Sequence, residues 1–151
     1  MNEEFEFWVA QERLLPVTAF EDDTEKRIGA VVGSLNALGT HVGVCAMSIG
    51  AFAEAFERLG ETMGVGDSLA QSAIADSPHG ILPDDDLSWS MGFFSAETVE
   101  LVQNVINGER DQLIALGKSS LDIEAVRNLF MDACEEASAS GQAIVIIHKG
   151  E

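Results

Sequence analysis

The sequence predicts an α+β fold, mostly helical, and three observations carry that expectation. Apolar residues from Ile28 to Met63 recur at alternating spacings of three and four, the period of a helix seam. "LSWSMGFF" (87–94) alternates large apolar side chains with Ser and Gly, as a half-buried strand does. "QAIVIIHK" (142–149) is an unbroken run rich in β-branched residues, as in a strand covered on both faces. Together they describe a long apolar helix or αα-hairpin in the N-terminal half, packed on a small sheet from the C-terminal half.

Taken in order, residues 2–15 fit two periods. Phe5, Trp8 and Val9 share a helix face, while Phe5, Phe7 and Val9 would line a strand. Helix is the preferred reading, with Pro16 as its end. The acids of "EDDTEKR" then suit a helix N-terminus. The seam that follows runs through Ile28, Val31, Leu35, Leu38, Val42, Cys45, Ile49, Phe52, Phe56, Leu59 and Met63. Its flanking rows are Gly, Ala and Val rather than the charges of an exposed coiled coil, which predicts a buried helix. Gly39-Thr40 would stop one helix and cap the next, giving the hairpin. Unbroken, the segment would be roughly 60 Å long, too long for one small domain.

Residues 64–86 read as a turn-rich connector with one short helix around 68–75. Further helices are expected over 95–107 with a stop at Gly108, over 110–116, and over 121–139 with a stop at Gly141. If the two C-terminal strands pair, the helical crossover between them would make them parallel. One domain spans 1–151, its natural subdivision being 1–66 (helical) and 67–151 (strand–helix–helix–strand).

Charge bounds the function. The chain has 26 acidic residues against 8 basic ones, a formal net charge of -18, yet Ile28 to Ala53 contains no Asp, Glu, Lys or Arg. Burial of that run, by the chain's own elements or by copies of itself, is the expectation. A membrane span is disfavoured by Asn36, Thr40 and His41 within it. The acids are spread over both halves, so phosphate backbones and anionic membranes are repelled and a basic protein is attracted. The acidic start, "MNEEFEFWVA", is unlike a secretory signal, and a cytoplasmic location is expected.

No motif specifies a chemistry. Phosphate-binding loops, dinucleotide fingerprints, nucleophile elbows and zinc-protease pairs are all missing from the sequence. "HGILPDDD" groups His79 with Asp84, Asp85 and Asp86, oxygen-rich enough for a hard cation but without calcium-loop spacing. His41 reads as a buried neutral imidazole and His148 as a lone histidine at a strand end; Glu3/Glu4 and Glu135/Glu136 read as solvated. Cys45 and Cys134 read as small apolar residues.

The leading expectation is therefore an acidic, non-enzymatic interaction module of inhibitor, immunity or nucleic-acid-mimic type, without a cofactor. It would engage a basic partner through Asp84, Asp85, Asp86, Trp89 and Phe94. One alternative is a self-assembling virion or filament subunit using the seam Ile28, Val31, Leu35, Leu38, Val42, Ile49, Phe52 and Phe56. The other is a small metal-assisted enzyme using His79 and the three aspartates.

Overall fold

The computed structural model describes residues 3–11, 24–61, 64–74, 89–115 and 121–149, with the side chains of 24–28, 67, 89–91, 107–115 and 149 outside that description. The described elements, in chain order, are β1 (Glu3–Ala10), α1 (Thr24–Leu38), β2 (Thr40–Met47), α2 (Ile49–Leu59), α3 (Gly66–Ile74), β3 (Trp89–Phe94), α4 (Ala96–Ala115), α5 (Leu121–Ser140) and β4 (Ala143–Lys149). The fold is α+β, as expected. Among the described residues, no helix is long and apolar enough to cross a membrane.

The four strands form one sheet in the order β2-β1-β4-β3, and every neighbouring pair is antiparallel. The expected parallel pairing of β3 with β4 is thus corrected. An odd number of sheet-crossing helices would return the chain in parallel. The two helices α4 and α5 run out and back, so β4 enters beside β3 in the opposite sense.

β1 is a strand, not a helix. Its two apolar periods are satisfied by two covered faces. Phe5, Phe7 and Val9 enter the larger core with Ile144 and Ile146 of β4, beneath α2, α3, α4 and α5. Trp8 and Ala10 turn the other way and join Val145, Ile147 and Phe93 under Val31 and Leu35 of α1. The sheet is therefore the middle of three layers. β4, buried on both sides from Ala143 to His148, matches its continuous apolar run.

The long apolar helix is overturned. Its proposed break at Gly39 exists, but a strand follows it, and a second helix starts only after Ser48. Thr40, Val42 and Val44 are β-branched, which suits an extended backbone. The phenylalanines of β1 also demand slender partners: Phe5 pairs with Cys45 and Phe7 with Gly43. Register then slips by one residue, so that Trp8 lies opposite His41 and Val42 is the extra residue of a bulge. The three-four spacing had persisted across two helices and a strand because nearly every residue there is small or apolar.

Shielding of the uncharged run is consequently partial. Val31, Leu35, Phe52 and Phe56 are buried within the chain's own core. Gly29, Ala30, Gly33, Asn36, Ala37, Thr40, His41 and Ala46 are exposed, with Leu38 at 60% and Val44 at 45%.

The larger core is built on aromatic rings. Phe5 stacks on Phe52 with centroids 3.8 Å apart, and Phe52, Phe56, Phe130 and Phe94 continue the chain of contacts. β3 contributes on both faces, Phe93 towards α1 and Phe94 towards α5, so it is not half-buried. α3 lies so close to β3 that any Cβ on Gly92 would collide with the Ala73 carbonyl. α4 runs through Gly108 without stopping, as one helix instead of the two expected. α5 ends where expected. Gly141 takes φ +66°, and the Gln142 amide donates to the Ala137 carbonyl at 2.9 Å, closing a Schellman turn.

Candidate functional site

Of the residues expected to bind a partner, Asp84, Asp85 and Asp86 lie outside the described residues, as do His79 and the side chain of Trp89. Phe94, expected at a partner surface, is instead 3% exposed and packs on Phe56 and Phe130 as part of the core. The assembly seam is also dispersed. Val31 and Leu35 face one side of the sheet, while Phe52 and Phe56 fill the other. Val42 and Ile49 are partly buried and Leu38 is exposed, while the Ile28 side chain lies outside the described ones.

The histidines exchange their expected roles. His41 is exposed on β2, with Trp8 edge-on to its ring at 4.8 Å. His148 is 1% exposed and stacks on Phe5, and its Nε2 lies 3.1 Å from Oε1 of Glu3. The other Glu3 oxygen accepts the Ile49 amide at 2.8 Å, and Ser48 Oγ accepts that of Ala51 at 3.1 Å. Two of the open amides at the start of α2 are thus satisfied, by a carboxylate favoured by the helix dipole and by a serine cap. The Ile49 hydrogen bond, above all, holds the Glu3 carboxyl below its ordinary 4.5, with His148 acting in the same sense. Glu3 is therefore no solvated surface acid. Burial puts the His148 imidazole beyond reach of a substrate, and a general base must touch the proton it takes. The cluster ties together the start of β1, the end of β4 and the start of α2.

Neither cysteine is poised for chemistry. Burial pushes the Cys45 thiol up to about 11, with the charge of Asp122 adding to it, and the Cys134 thiol up to about 12. Both are free thiols and stay protonated at neutral pH. Among the described residues, no three His, Cys, Asp or Glu side chains are grouped to hold a metal ion.

Among the described residues, two of the clefts open to solvent border a strand of the sheet. One, of about 290 Å³, lies between α3, the end of β3 and α4 and is lined by Leu69, Phe94, Leu101 and Val102 with the hydroxyls of Ser95 and Thr98. Those hydroxyls bond each other at the start of α4, so they serve the helix end.

The other cleft, of about 440 Å³, lies between β2 and α5 and is lined by Thr40, His41, Val42, Asp132, Glu135 and Glu136. It concentrates three exposed carboxylates beside an edge strand that bears no Asp, Glu, Lys or Arg. α5 follows β2 for the strand's length. Asp122 acts on Cys45, Leu129 sits over Gly43, and Asp132 stands at His41. Asp122, Leu129, Asp132 and Glu136 recur at spacings of seven, three and four, so they share one helix face, flanking the buried stripe of Ile123, Val126 and Phe130. This row was legible as helical spacing in the sequence, but its neighbour β2 was not.

Comparison with protein-family models, with curated proteins and with solved structures finds no match.

Proposed function

We propose that this chain is an acidic, non-enzymatic protein–protein interaction module that engages a basic partner protein, in the manner of an inhibitor, an immunity protein or a nucleic-acid mimic. The observation that supports it is the acidic cleft beside β2, where Asp132, Glu135 and Glu136 converge with no Lys or Arg among the lining residues. A chain of net charge -18 steers a basic molecule from a distance, and a local group of carboxylates orients it on arrival.

The reading is preferred to self-assembly through the helical seam because Val31, Leu35, Phe52 and Phe56 are occupied in the chain's own core. The test is capture of the partner from its native cells, followed by titration of the purified pair across ionic strength. Affinity should fall steeply between about 50 and 500 mM salt, as the Debye length shrinks from roughly 14 to 4 Å. A partner that is not basic, or an affinity indifferent to salt, would reject the proposal.

A further inference from the structure

The geometry points to β2 as the docking edge: an extended segment of the basic partner, alternating Lys or Arg with apolar residues, adds to it as a fifth strand. This rests on the interaction reading above and names the partner's segment.

An edge strand presents a row of main-chain donors and acceptors to whatever lies beside it, and proteins ordinarily blunt such edges with Lys, Pro or a covering element. Thr40–Met47 has neither Lys nor Pro, and among the described residues no strand pairs with its outer side. Its side chains at Thr40, His41, Val44 and Ala46 are exposed. An incoming strand would find different surroundings on its two faces. Towards α5 lie Asp122, Asp132 and Glu136, which match basic side chains. On the opposite face lies the exposed Val44, in cross-strand register with Glu6, and α1 ends nearby in the exposed Leu38. Side chains of a strand alternate between faces, so the matching segment alternates basic with apolar residues.

Charge also decides between occupants. If a second copy paired through β2 about a two-fold axis, both α5 helices would lie on the same face. Their acidic rows would then confront each other across the axis. A basic strand removes that repulsion and a second copy creates it.

The experiment uses the full chain and a ten-residue capped peptide alternating lysine and valine, beside the same peptide N-methylated along its backbone. N-methylation keeps the charge and side chains but removes the donors that strand pairing needs. The plain peptide is expected to bind, to slow hydrogen exchange across Thr40–Met47, and to exceed its methylated analogue by about tenfold in affinity. Asp132→Asn with Glu136→Gln should weaken it about fivefold at low salt. Equal binding of both peptides would overturn strand addition while leaving acidic capture of a basic partner intact. No binding of either would overturn it too, and a salt-sensitive native partner would then be held elsewhere on the surface. Protection of β2 that rises with protein concentration alone would assign the edge to a second copy and overturn the inference.

Discussion

Glu3 shows how much one side chain decides. Its two oxygens serve His148 and the first amide of α2, elements that meet only in the folded chain. Because the carboxyl titrates below its ordinary 4.5, ionised Glu3 favours the folded state. That contribution is complete above about 4.5 and fades as pH falls through the lower folded value. Glu3→Ala should therefore lower stability by about 1 kcal/mol at neutral pH, through loss of the Ile49 hydrogen bond. The difference from the parent chain should shrink on acidification below 4.5, as denaturant titrations at two pH values would show. A difference that grows towards low pH would contradict the assignment. The sequence placed two adjacent glutamates near one end and a histidine near the other, with nothing to join them. Their meeting follows from the pairing of β1 with β4.

At the scale of elements, reading succeeded where composition and period agreed. β4 was legible because an uninterrupted apolar run tolerates burial on both faces. α5 was legible because Ile123, Val126, Phe130 and Ala137 hold one stripe and Gly141 closes it. β2 was not, because a run without charged residues gives no polar face from which to judge period. Ser48 was the overlooked signal, an N-cap that marks where the strand yields to α2. The contact between α3 and β3 gives a sharp prediction at this scale. Gly92→Ala forces a methyl against the Ala73 backbone, which has no rotamer to relieve it. The cost should be about 2–3 kcal/mol, whereas the same change at Gly33, inside α1 with nothing within 4 Å of the new methyl, should stabilise by about 0.5–1 kcal/mol. Thermal melts of the two variants separate these outcomes, and equal destabilisation would refute the close approach.

The whole molecule sets an aromatic core and a three-layer scaffold against strong self-repulsion. With 26 acids and 8 bases, like charges on the surface favour expansion, and added salt relieves them. The unfolding midpoint should rise between about 20 and 300 mM salt, over which the Debye length falls from roughly 20 to 6 Å. A midpoint that falls with salt would mean that ion pairs such as Arg58 with Glu61, at 3.1 Å, outweigh the repulsion.

Local chemistry alone was enough to establish the α+β class, the acidic character and the sites of α5 and β4. Those properties depend on composition and on neighbours a few residues away. Sheet order, the strand nature of β1 and β2, the burial of Phe94 and His148, and the acidic cleft all needed the folded chain. Each arises from pairing between segments far apart in sequence, where the size of a phenylalanine on one strand selects the glycine or cysteine on the next.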